Sequence, residues 1–248
     1  KSLGDLIKTS SKNKETELKK AEKEETFDTE LKERAVCKYD KKVLESIKRE
    51  KTIVLTQIET LEEEGASIFF NQLTAAKTIT KNFKDKQVVM QMVIGRCQSG
   101  KTGTMLGVIK QYLSDASNQI PTSNIFLITG LSSVEWVEQT KARMPKEIAE
   151  RVFHRAELTK GFADAVKELS NVLIIIDETH IAKLEKQTIC AAFKKIGLLN
   201  LQYLLHKDIK IVEFTATPNT VIYNISQWGD YSKVVFVESG KGYIGCGD

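Results

Sequence analysis

The stretch VVMQMVIGRCQSGKTGTML, residues 88–106, sets one apolar run against a glycine-bracketed loop and then a second apolar run. Residues 87–94 read as a strand too continuously apolar to keep one face in water, and 101–113 read as a helix. Between them Gly95, Gly100, Lys101 and Thr102 stand at the spacing G-x-x-x-x-G-K-[ST]. Glycines let the backbone turn so that successive N–H groups converge on phosphate oxygens. The N-terminus of the following helix adds its unpaired N–H groups and dipole to the same anion site. In that arrangement Lys101 reaches the β- and γ-phosphates of ATP and the Thr102 hydroxyl ligates Mg2+. Gln98 and Ser99 shape the loop, Ser99 and Gly103 complete the nucleotide-binding set, and Cys97 is filler. A loose glycine-lysine pair is usually a surface turn. The strand before and the helix after select the phosphate cradle here.

Outward from the loop, short apolar runs alternate with longer amphipathic ones. Strands are expected at 87–94, 124–129, 172–176, 210–215 and 233–238, with a weaker one at 151–154. Helices are expected at 66–83, 101–113, 132–142, 161–169, 183–196, 198–206 and 219–226. Continuously apolar strands separated by helices predict an α/β fold whose parallel sheet is covered on both faces. VLIIIDETH, residues 172–180, brings Asp177 to the carboxyl end of a buried strand, where open α/β sheets bind ligands. Asp177 holds magnesium in this reading, and Glu178 polarises the attacking water. An isolated Asp-Glu pair after a strand is more often a helix cap. Following Lys101 within the same strand-helix alternation, it reads as the second half of a phosphate site.

Composition narrows the classes. The chain has 248 residues, 41% of them apolar, with 37 basic and 33 acidic side chains. Residues 1–64 hold 15 basic and 16 acidic side chains and residues 65–248 hold 22 and 17, so the positive excess lies in the later part, compatible with a nucleic-acid surface. Cys37, Cys97, Cys190 and Cys246 have no metal-ligand spacing, which favours a reducing compartment and no zinc. No apolar run approaches a membrane span and the start lacks a secretion signal, so the expected location is intracellular, cytoplasmic or nuclear, in a cellular or a viral or phage-encoded protein. Residues 9–30 are lysine- and glutamate-rich. Leu44, Ile47, Val54, Ile58 and Leu61 mark an apolar stripe within 31–61 that must cover either the following domain or a helical partner chain. The expected division is a charged helical extension, 1–64, and an ATP-binding domain, 65–248. Opening on Lys1 and closing on GYIGCGD, the chain is expected to be a piece of something larger.

GRCQSGKT, DETH and TATP (Thr215, Ala216, Thr217, Pro218) stand in the order and context of three major motifs of superfamily 2 helicases and translocases, which residues 70–240 thereby resemble. The resemblance implies a RecA-like first motor domain that binds ATP with Mg2+. It implies that Thr215 and Thr217 couple nucleotide state to nucleic-acid movement, and that His180 links the second motif to the third. Two weaker likenesses follow. Gln72 resembles the upstream glutamine that reads adenine, a task suited to a carboxamide that both donates and accepts. Ser132 and Ser133 fall where the family contacts the backbone of the bound strand. FVESGKGYIGCGD loosely resembles a segment found after the third motif in a subset of restriction-associated and viral or phage-type ATPases, and its Tyr243 is expected to pack against the motor.

The resemblance also implies a second RecA-like domain in the parent protein, the source of arginines that reach the transferring phosphate and are worth about 10³ to 10⁵ in rate. No length remains for it after the last strand, so this piece is expected to bind nucleotide with little turnover. The departure from DEAD at the second motif favours DNA over RNA. Two other readings stand beside the motor: a P-loop ATPase of a packaging or protein-remodelling machine, and a nucleotide-responsive module that recruits a partner through its N-terminal helix.

Overall fold

The computed structural model describes residues 39–65, 67–96, 100–129, 134–177, 188–216 and 228–240. Two compact units are separated at Lys38, and the described residues all belong to the second, which begins at Tyr39.

Helix α1 (Lys41–Glu63) starts where the Asp40 carboxylate accepts the Val43 N–H at 2.9 Å, satisfying one of the orphan donors of a first turn. Its apolar stripe is buried at Ile47, Val54 and Ile58. Lys51 fills the remaining inward position and donates its ammonium to the Asn118 carbonyl. Burial lowers the pKa of that ammonium, against the opposing influence of Asp115. Helix α2 (Phe70–Asn82) follows, then β1 (Met90–Ile94) and α3 (Lys101–Ser114). After these come β2 (Ile125–Thr129), α4 (Val134–Ala142), the single turn α5 (Lys146–Ala149) and β3 (Val152–His154). A π-turn at Leu158–Phe162 runs into α6 (Ala163–Val166), followed by β4 (Val172–Asp177), α7 (Thr188–Lys195), α8 (Leu201–Lys207), β5 (Ile209–Thr215) and β6 (Ser232–Phe236).

All six strands form one parallel sheet in the order β3-β2-β4-β5-β1-β6. Side-chain alternation divides the core. Val93, Leu127, Leu173, Ile175, Val212 and Phe214 face helices α1 to α5, and Met92, Phe126, Ile174, Ile176 and Ile211 face the segments around α6, α7 and α8. The fold is thus α/β, as expected, with helices covering both faces of a parallel sheet. The expected strands all form. Residues 87–89 precede β1 as a turn and lead-in, with the Gln87 N–H held by the Asp85 carboxylate at 3.0 Å. The expected helix at 161–169 is shorter and begins as the π-turn. The expected helix at 219–226 and the lysine- and glutamate-rich segment 9–30 lie outside the described residues.

One buried cation anchors the amino-terminal edge of the sheet. Lys210, 8% exposed, donates to the Val88 carbonyl at 3.1 Å and the Lys86 carbonyl at 3.3 Å, and pairs with Asp208 at 3.3 Å. Desolvation lowers its pKa from 10.5, and Asp208 works in the other direction. Between the lowered value and 10.5 the folded chain binds fewer protons than the unfolded one, so stability rises with pH across that window. The gain is complete above 10.5 and is lost as pH falls through the folded value. Lys210→Met is therefore expected to flatten the alkaline rise in denaturant midpoint between neutral pH and about pH 10. An unchanged slope would show that burial leaves this ammonium at its ordinary value.

Candidate functional site

The site is built where β1 ends. Ile94 closes the strand, the Gly95 N–H donates to the Thr215 carbonyl at 3.1 Å, and the Val237 N–H donates to the Ile94 carbonyl at 2.8 Å. The loop origin is thereby fixed to β5 on one side and to the end of β6 on the other. Gly100 ends the loop at φ +82° and ψ +34°, a left-handed conformation that costs an L side chain about 1–2 kcal/mol. Helix α3 opens immediately at Lys101, and its first backbone bond runs from the Thr104 N–H to the Gly100 carbonyl at 3.1 Å. The N-terminal N–H groups of α3, the Lys101 ammonium and the Thr102 hydroxyl thus belong to a single turn of backbone at the carboxyl edge of the sheet. Loop residue Ser99 lies outside the described residues.

The sheet order decides what faces this turn. β5 lies between β1 and β4, so Thr215 stands next to Ile94 in register, and Glu213 lies between Met92 and Ile176. Asp177 is the last residue of β4, 7% exposed, one strand removed from the loop origin. It shares its sheet face with Leu173 and Ile175, the face that α3 covers. The fold therefore brings Gly95, Gly100, Lys101, Thr102, Asp177 and Thr215 to the same edge of the sheet. Glu178, His180, Thr217, Ser132 and Ser133 lie outside the described residues.

Gln72 is held by packing. It is 4% exposed on the inner face of α2, and its Oε1 accepts the Phe69 N–H at 3.0 Å, half of a capping box. A Cβ built on Gly100 would lie 1.9 Å from its Nε2, and one on Gly103 would lie 2.2 Å from its Oε1. The Gln72 carboxamide therefore occupies space that side chains at 100 and 103 would need. A further Cβ at Gly107 would meet the Ala76 Cβ at 3.1 Å, so α2 and α3 approach along a stripe of small residues. Gly103, expected among the nucleotide-binding residues, is also required by this close approach.

Beside the loop lies an open groove of about 510 Å³ lined by Ile94, Gly95, Arg96, Phe236 and Glu238 among others. Phe236, 68% exposed, ends the edge strand β6 next to Ile94.

A magnesium nucleotide fits this donor set. Magnesium keeps much of its water and asks the protein for one or two oxygens, and the Thr102 hydroxyl and Asp177 carboxylate supply that number. Among the described residues no cluster of three or more His, Cys, Asp or Glu side chains forms a denser metal site. Among the same residues, no helix is long and apolar enough to cross a membrane.

Sequence reasoning did not single out Thr129 or His154. The register places Thr129 beside Asp177 and His154 beside Thr129. Each is a polar residue closing an apolar strand, and that was the available signal.

No family model matches the chain, and no curated protein matches it. Among solved structures, that of C. elegans PCH-2 is similar at 15% identity and a TM-score of 0.32, over 75% of this chain and 42% of that chain. This chain thus spans less than half of that one, and the likeness is too distant to bear on function.

Proposed function

We propose that this chain is the ATP-binding first motor domain of a nucleic-acid-dependent helicase or translocase, with DNA preferred to RNA. The observation that carries the nucleotide part is the left-handed Gly100 between β1 and α3, set at the same sheet edge as a buried strand-terminal carboxylate, Asp177. The motor part rests on the resemblance of the three motifs and on Thr215, whose carbonyl holds the Gly95 N–H and so joins the third motif to the start of the first.

In this reading the α3 N-terminus and Lys101 hold the phosphates, Thr102 and Asp177 hold the metal, and Gly100 keeps the backbone close enough for its N–H groups to point inward. The magnesium ion neutralises phosphate charge and orients the terminal phosphoryl group. Glu178 orients the attacking water, and Thr217 and His180 carry nucleotide state onward. A second RecA-like domain of the parent protein completes the site.

Two measurements test the reading. Calorimetric titration of the 248-residue chain with ATP in magnesium is expected to show one site, and turnover by the intact parent is expected to rise on adding DNA. Glu178→Gln is expected to leave ATP affinity within about threefold while reducing turnover by about 100-fold or more, as for removal of a group acting chiefly in the transition state. ATPase activity indifferent to every nucleic acid would favour the packaging or remodelling machine instead. Full turnover in the Glu178 variant would remove that residue from its role.

A further inference from the structure

Three side chains that close neighbouring strands form a row on one face of the sheet. Thr129 of β2 is in register with Asp177 of β4 on one side and with His154 of β3 on the other. Register partners in a parallel sheet point the same way, with strands about 4.8 Å apart. Two residues earlier, Leu127, Val152 and Ile175 all enter the cluster beneath α1, α3 and α4, so the row stands on the face that α3 covers.

The middle of the row is anomalous. Thr129 is 1% exposed, and its hydroxyl has no hydrogen-bond partner among the described residues. The same holds for the buried Nε2 of His154. His154 Nδ1 accepts the Ala156 N–H at 3.1 Å, so the neutral ring carries its proton on Nε2. Its backbone N–H is in turn held by the Glu157 carboxylate at 2.9 Å. A pinned imidazole thus presents a donor beside a buried hydroxyl, and that hydroxyl neighbours the carboxylate assigned to the metal. Buried polar groups are nearly always satisfied, and a native exception calls for a role.

Resting on the nucleotide reading above, we propose that Thr129 is a positioning residue for Asp177. With the magnesium nucleotide bound, the Thr129 hydroxyl donates to the Asp177 carboxylate and accepts from His154 Nε2–H, fixing the carboxylate's orientation toward the metal's hydration shell. The row thereby connects the metal side of the site to the π-turn that follows β3. The role requires a hydroxyl rather than a particular volume.

The test compares wild type, Thr129→Val and Thr129→Ser in the 248-residue chain, by ATP titration with magnesium and with EDTA, and by thermal melting without nucleotide. Thr129→Val is expected to lose about tenfold of the magnesium-dependent part of the affinity, the scale of a hydrogen bond to a charged group. Thr129→Ser should stay within about threefold of wild type, and the EDTA affinities of all three should agree. The nucleotide-free melting temperature of Thr129→Val should equal or exceed that of wild type, because a methyl replaces a buried hydroxyl that has no partner. Magnesium dependence unchanged in Thr129→Val overturns the proposal, whether or not the melting temperature falls. If wild type itself shows no magnesium-dependent binding, the nucleotide reading fails first and takes this one with it.

Discussion

Lys101→Ala is expected to weaken magnesium-dependent ATP binding by about 100-fold while leaving the nucleotide-free fold intact. Lys101 is the first residue of α3, directly after the left-handed Gly100, and is only partly buried. A positive side chain at a helix N-terminus opposes the macrodipole. Alanine is also the better helix former. With phosphate in place the balance reverses, because each hydrogen bond to a charged group is worth about 1.5–3 kcal/mol, about 10- to 150-fold in affinity. Melting curves give a direct readout. Wild type at ATP near 100 times its dissociation constant gains about 2.7 kcal/mol of stability, and Lys101→Ala at the same concentration should gain only about 0.4 kcal/mol. Equal stabilisation of both proteins by ATP would place the phosphates somewhere other than the turn between β1 and α3.

The elements that bear on this site were legible in the sequence to different depths, for physical reasons. Strands buried on both faces announce themselves as apolar runs, so IFLIT and VLIIID are recognisable without any partner strand. Even the three-residue VFH forms, because its hydrogen-bonded neighbour β2 fixes it. The turn from β1 into α3 was legible because a glycine stands where the backbone is left-handed, at Gly100. Lys51 was not, since a lysine on the inward face of α1 breaks the apolar pattern and is accommodated only because a distant carbonyl, that of Asn118, receives its ammonium. Nor was the row of Asp177, Thr129 and His154. These residues are 25 and 48 positions apart in chain order, and only the strand order makes them neighbours. Periodicity shows which way a strand faces, and it is silent about which strand lies beside it. The packing demand on Gly103 was hidden for the same reason, because the side chain that excludes a Cβ there, Gln72, comes from a different helix.

That contact yields the second large effect, in which two glycines only three residues apart respond differently to the same rescue. Gly100→Ala is expected to cost about 2–3 kcal/mol, the sum of about 1–2 for a left-handed L residue and about 1 for the hydrogen bond that Gln72 forfeits in moving away. For a domain of this size that lowers the melting temperature by about 4–12 °C. The carboxamide is the mobile end of its side chain and can swing out, but doing so breaks its bond to the Phe69 N–H. Gly103→Ala forces the same displacement yet gains about 1 kcal/mol of helix propensity, so alone it should be nearly neutral. Adding Gln72→Ala separates the two. In that background Gly103→Ala should become stabilising by about 1 kcal/mol, because only the propensity gain remains. Gly100→Ala should recover only the contact and keep the backbone cost of about 1–2 kcal/mol, since no change in α2 alters φ at residue 100. Denaturant unfolding of the four variants and the Gln72→Ala parent measures both cycles. Full rescue at Gly100 would mean that its left-handed turn is not required, and with it would go the reason for glycine at the end of the phosphate loop.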